Sequence, residues 1–197
     1  MHERSELGSF ITPMTSFPND ASGPANILAE LVSIIISGGH DYWGKQGEGR
    51  LQHGAEYRET VECVAGMGLR GDRYFGHREN YKGQVTFFDH AVYENIKVQF
   101  KLPKLPSSVF RRNLIISGVE LGDLIGKQFQ FQGITFEGTE VCRPCYWMDR
   151  AVADGVHEYL KVEARGGLRA RVITSGELRT AGASLAVPRG TMEPPDP

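Results

Sequence analysis

Cysteine is scarce: three thiols in 197 residues, an odd and sparse set. That excludes a disulfide scaffold and fits a reducing compartment. Long apolar runs are missing too. The most apolar stretch, Leu31 to Ile36, falls far short of the roughly 20 residues that span a bilayer. Met1 to Asp20 mixes Glu3, Arg4 and Glu6 with Ser, Thr and Pro, and lacks the apolar core of a secretory signal. There is no surplus of positive charge. The formal net charge is −2, which argues against a nucleic-acid partner. No repeat, Walker loop, dinucleotide fingerprint, flavin motif or four-cysteine iron–sulfur spacing is present. The expectation is a soluble, cytoplasmic protein with neither membrane nor nucleic acid as partner.

What is present reads as one domain. Hydrophobic content of 40% and charged content of 23% are ordinary for a globular chain. Residues 1–27, polar and rich in turn formers, predict an N-terminal arm. Residues 28–187 predict the domain, and 188–197 a disordered, proline-rich tail. Strand signals dominate. They fall at Leu31–Ile36, Thr60–Val64, Gln84–Phe88, Asn113–Ile116, the hairpin Gln128–Phe131 with Ile134–Phe136, and Ala170–Thr174. Two helices are expected. Asp89 caps one that carries Val92, Ile96 and Phe100 and stops before Pro103. The other carries Met148, Val152, Val156 and Leu160 at four-residue spacing. Without regular βαβ alternation a doubly wound sheet is not expected. The pattern predicts a mainly β, barrel-like and largely antiparallel core with two or three flanking helices.

Three segments carry candidate chemistry. The first is Cys142-Arg143-Pro144-Cys145, after the hairpin and before the second helix. Two thiols beside Arg143 and Arg150 make an electropositive niche of the type that favours a reactive thiolate. Two thiols packed at a strand–helix junction fit as well. A zinc site needs four ligands, and neither Cys63 nor any histidine supplies the usual second half-site. A thioredoxin-type motif needs a βαβ setting that is missing here. The second segment is Gly66-Met67-Gly68-Leu69-Arg70-Gly71-Asp72-Arg73-Tyr74-Phe75-Gly76, followed by His77, Arg78 and Lys82. It is either an ordinary loop or an anion cradle built from backbone N–H groups and guanidinium forks. The third is Phe110-Arg111-Arg112-Asn113 at a strand entrance. Strand alternation would put Arg111 and Asn113 on one face and Arg112 on the other.

Lesser candidates keep two readings each. His40-Asp41-Tyr42-Trp43 is a mouth loop or a packed aromatic loop. Glu140 is an acid–base group or a surface strand-end glutamate. Asp72 positions Arg73 or bonds a ligand amide, or else stabilises a turn. Cys63 reads as core.

In order and spacing these segments resemble the MOSC domain family, the C-terminal domain of molybdenum-cofactor sulfurases. The resemblance rests on Gly66-Met67-Gly68-Leu69-Arg70-Gly71-Asp72-Arg73, on Arg111-Arg112-Asn113-Leu114-Ile115-Ile116, on Gly126-Lys127, on Cys142-Arg143-Pro144-Cys145, and on Gly167-Leu168-Arg169-Ala170-Arg171-Val172. It runs from about Leu31 to Ala186. One departure falls in the last strand, where Gly176-Glu177 and Gly182-Ala183 stand in place of a Gly-Asp.

The resemblance implies a β-barrel and a role around the molybdenum cofactor. It implies Cys145 as metal ligand and catalytic thiol, with Cys142 beside it. Arg111, Asn113, Arg73, Asp72 and Gly71 would be the cofactor-binding set. Some members resemble reductases of N-hydroxylated compounds that draw electrons from a separate donor protein and take a small-molecule substrate. Others resemble sulfur carriers that accept a persulfide from a pyridoxal-phosphate-dependent cysteine desulfurase. Both roles want a thiolate, and the sequence does not separate them.

Overall fold

The structure, a computed structural model, describes residues 24–41 and 51–181. Most of the expected N-terminal arm, Tyr42, Trp43, Gly182, Ala183 and the expected tail lie outside the described residues. In chain order the strands and helices are β1 (Ala25–Asn26), β2 (Glu30–Ile36), β3 (Glu56–Arg58), β4 (Thr60–Val64), β5 (Gly68–Leu69), β6 (Val85–Asp89), α1 (His90–Gln99), β7 (Leu114–Ser117), β8 (Gln128–Phe131), β9 (Ile134–Val141), α2 (Trp147–Ala151), α3 (Val156–Lys161), β10 (Leu168–Val172) and β11 (Gly176–Arg179). Among the described residues no helix is long and apolar enough to cross a membrane.

The described residues are strand-rich with three helices, within the two or three flanking helices that the patterning predicts. Eight strands form one sheet in the order β1-β8-β9-β10-β6-β7-β2-β3, and β11-β4-β5 form a smaller one. Pairing is mostly antiparallel. The exceptions are β1 with β8 and β6 with β7. The second follows from α1, because parallel neighbours need a crossover. The large sheet does not close into a barrel: β1 and β3 remain its two ends.

Local chemistry explains the elements. Phe129 and Phe131 alternate inward on β8. Gln132 and Gly133 both take positive φ, 50° and 77°, the backbone of a tight hairpin turn whose twist matches its strands. Phe131 then pairs with Ile134. Phe87, Phe129 and Phe136 meet with ring centroids 5.3–5.7 Å apart and anchor the main core. The opposite face of β2, β6 and β7 presents Ile35, Phe88 and Ile115 to Ile96 of α1, Met148 of α2 and Val156 and Leu160 of α3.

The second helix departs from expectation. Its four-residue apolar spacing is real, but Gly155 at φ 90° divides it into α2 and α3. Asp149 Oδ1 accepts from the His157 N–H at 2.7 Å, so α2 caps α3. α1 starts as expected, with Asp89 Oδ1 accepting from the Ala91 N–H at 2.7 Å. It ends at Gln99, ahead of Pro103.

Candidate functional site

A cavity of about 250 Å³ opens between the ends of β2, β6 and β10, the segment before β7 and the Cys142–Cys145 loop. Both Cys142 and Cys145 line it, Cys142 buried and Cys145 exposed. Arg73, Arg111, Arg112, Arg143 and Arg169 line it too, with Asp41 the acidic residue among them. His40, Tyr74 and Tyr81 add a polar aromatic side.

Each arginine is set by a different element. Arg111 ends a short 3₁₀ turn, Ser107–Phe110, in the left-handed region at φ 59°. Its guanidinium bonds Ser37 Oγ at 2.9 Å and the Gly39 carbonyl, and pairs with Asp41 at 3.3 Å. Arg112 donates to the carbonyls of Gly166 at 2.8 Å, Phe110 at 2.9 Å and Cys142 at 3.3 Å. β7 begins only at Leu114, so the expected alternation does not apply. Arg111 and Arg112 line the same cavity rather than opposite faces.

Arg73 is 8% exposed, sits 3.5 Å from Asp72 and donates to the Arg111 carbonyl at 3.2 Å. Its Nε is buried with no hydrogen-bond partner among the described residues. Such an orphan donor is costly unless a ligand satisfies it. Arg169 leaves β10 on the face opposite buried Leu168 and Ala170 and pairs with Glu140 at 3.0 Å. Burial opposes its charge, but Cys142, Tyr81 and Glu140 outweigh that and hold the guanidinium above its ordinary pKa.

Three of the residues expected to bind a cofactor lie outside this lining. Asn113 is buried; its Oδ1 accepts from the Thr86 N–H at 3.1 Å and hydroxyl at 2.8 Å, and its Nδ2 donates to Ile35 O and Asp72 Oδ2. Asp72 is buried and also accepts from the Ser37 and Tyr74 N–H groups. Gly71, at φ 87°, borders a separate shallow cavity beside Ser37 and Gly54. Asp72 and Asn113 therefore lace the wall together behind the arginines.

Other features resolve simply. Cys63 is core, and burial, then the nearby Glu62, push its thiol up to about 12. Glu140 is half-exposed between Arg169 and Lys82. Of the basic cluster after Gly68, Arg70 is tied to Glu62 on the surface, and Arg78 lies over Tyr81, 5.2 Å from its ring centroid. Arg73 is the member that reaches the cavity. Cys145 precedes α2 by two residues, and a five-residue helix aligns too few peptide dipoles to matter.

Of the segment read as a mouth loop or a packed aromatic loop, His40 and Asp41 border the cavity; Tyr74, Tyr81 and Arg169, given no individual role from sequence, border it too. Burial first, then Arg73, Arg111, His53 and His77, push His40 down to about 4, so it is neutral at neutral pH. Tyr74 hydroxyl and His40 Nε2 are 2.9 Å apart. Arg169 sits inside the Gly167–Val172 segment, where the alternation of buried Leu168, Ala170 and Val172 is the signal that turns it outward.

The MOSC domain family profile matches residues 69–184, more than half of the chain. The chain belongs to the MOSC domain family. Solved structures agree on the fold. YuaD from Bacillus subtilis is 16% identical, with a TM-score of 0.57 over 77% of this chain and 91% of that one. YiiM from Geobacillus stearothermophilus is 14% identical, with a TM-score of 0.55 over 77% and 71%. YiiM from Escherichia coli is 14% identical, with a TM-score of 0.50 over 75% and 65%. No curated protein sequence gives a match.

Proposed function

We propose that this MOSC protein binds the molybdenum cofactor in the cationic cavity and reduces N-hydroxylated small molecules with electrons from a separate donor protein. One observation carries the reading: an exposed thiol, Cys145, shares a cavity with Arg73, whose buried Nε is unsatisfied. A molybdenum–pterin group brings a thiophilic metal and an anionic phosphate. Thiolates suit the first and guanidinium forks the second. Among the described residues no three His, Cys, Asp or Glu side chains gather as a metal-ligand group; of the two thiols in the cavity Cys142 is buried and Cys145 exposed, and the exposed one is the ligand in this reading.

In this reading Cys145 holds the metal. Arg73 and Arg111 hold the phosphate, and Asp72 and Asn113 fix the wall from which Arg73 projects. Cys142, buried behind, tunes or protects Cys145. When bound, the cofactor supplies the two-electron chemistry. The chain's own residues bind and orient it, screen its charge and restrict water.

Metal analysis of protein from a cofactor-producing host tests this. Molybdenum and pterin in near-equal amounts are expected. Cys145→Ser should lose the metal while keeping the fold, and Cys142→Ser should lose much less. Equal loss from both variants would point to a two-thiolate site. Cyanide-labile sulfur on Cys145 without metal would replace this reading with persulfide carriage from a cysteine desulfurase.

A further inference from the structure

Reducing an N-hydroxylated compound consumes protons as well as electrons, and the cavity holds few groups able to give one. Arginine does not release its proton at working pH. Asp41 is engaged by Arg111 and by the His53 N–H. The Thr86 hydroxyl is spent on Asn113 Oδ1. Two phenols remain, Tyr74 and Tyr81, and Tyr74 is the one whose hydroxyl meets His40. Its hydroxyl lies 2.9 Å from His40 Nε2, its ring packs against Tyr81 and His77, and the Arg73 guanidinium lies 4.8 Å from its ring centroid. Tyr74 and His40 line the same cavity as Cys145.

Resting on the reductase reading above, we propose that Tyr74 is a catalytic proton donor to the departing oxygen, with His40 as the residue that positions it. The N–O bond breaks as two electrons arrive from an external one-electron carrier. The departing oxygen takes the Tyr74 Oη proton and leaves as water, and a second proton from solvent goes to nitrogen. Burial first, then Tyr81, hold the Tyr74 hydroxyl above its ordinary pKa against the opposing pull of Arg73, so the resting group keeps its proton. The phenolate left after transfer faces the Arg73 charge, accepts a hydrogen bond from His40 Nε2–H and regains its proton from solvent. His40 suits this because it is neutral. Its role requires the tautomer with hydrogen on Nε2, leaving the Tyr74 O–H directed at the ligand rather than at the imidazole.

Two measurements test the assignment. The first needs neither cofactor nor turnover: nitrogen-15 NMR of His40 in the metal-free protein at pH 7. The expected result is a protonated, pyrrole-type Nε2. A pyridine-type Nε2 would mean that Tyr74 donates to His40, and overturns the proposal. The second uses cofactor-loaded protein with reduced viologen and an N-hydroxylated base. Tyr74→Phe should lower kcat by about 100-fold, with KM and molybdenum content unchanged. His40→Gln, which keeps a donor near the Nε2 position, should retain most of the rate that His40→Ala loses. Wild-type rates in Tyr74→Phe overturn the donor role and leave the reductase reading standing. An inactive, fully loaded wild-type protein overturns both.

Discussion

Arg112 and Arg111 are adjacent arginines with different duties. Arg112 is buried and donates to three backbone carbonyls, two of them on the Cys142 and Gly166 segments that frame the cavity. Hydrogen bonds from a charged donor contribute about 1.5–3 kcal/mol each. Arg112→Ala should therefore cost on the order of 3 kcal/mol or more, a large share of the roughly 5–15 kcal/mol that holds a domain together. Urea unfolding checks this. Arg111→Ala takes a guanidinium away from the buried Asp41, from Ser37 Oγ and from the Gly39 carbonyl. It should therefore lower stability as well as ligand affinity, the first read by urea unfolding and the second by cofactor titration. At the same scale His40 links the cavity to pH. Its folded pKa of about 4 lies below the ordinary value near 6.5. Between those values the unfolded chain binds the proton and the folded one does not, so stability falls as pH drops from about 6.5 toward 4. The urea midpoint, compared at pH 7 and pH 4.5, should fall less in His40→Gln than in wild type.

Two short helices replace the single one that spacing suggests, and their joint is built from named parts. Gly155 takes φ 90°, where a side chain is strained. Asp149 reaches from α2 to cap α3 through the His157 N–H. α3 in turn buries Val156 and Leu160 beneath the sheet. Asp149→Ala should cost about 1 kcal/mol, and hydrogen exchange should quicken first in α3 while the sheet amides of β6 and β10 keep their protection. Uniform loss of protection would show that the helices and sheet open as one unit. The joint also sets the site, because Met148 of α2 lines the cavity and its N–H donates to the Cys145 carbonyl at 3.0 Å.

Charge is segregated across the molecule. The chain carries −2 overall, yet arginines from four separate segments converge on one cavity. That arrangement attracts an anion locally without making the whole surface adhesive. The reductase reading also fixes what the protein must borrow. With a nicotinamide donor alone, the cofactor-loaded protein should fail to reduce amidoximes or N-hydroxylated bases. With reduced viologen it should turn over, and Cys145→Ser should not. Turnover with the nicotinamide alone would reveal a redox site of its own.

Sequence by itself determined the strand-rich class, the Phe-rich hairpin, the Asp89 cap and the family, because each depends on local periodicity, turn chemistry or ordered motifs. Near Cys142–Cys145 it marked the thiols and Arg143, which line the cavity, while Arg150, read as part of the same niche, lies over Trp147 instead. It did not reveal that Arg112 shares the cavity with Arg111, since the left-handed turn at Arg111 delays the strand and cancels the alternation. Nor did it separate Asp72 and Asn113, which brace the wall, from Arg73, which faces the cavity. That distinction depends on contacts between residues 41 positions apart in sequence. The open sheet and the His40–Tyr74 pair, 34 residues apart, are likewise set by long-range packing, and no local pattern encodes which distant backbone a side chain will meet.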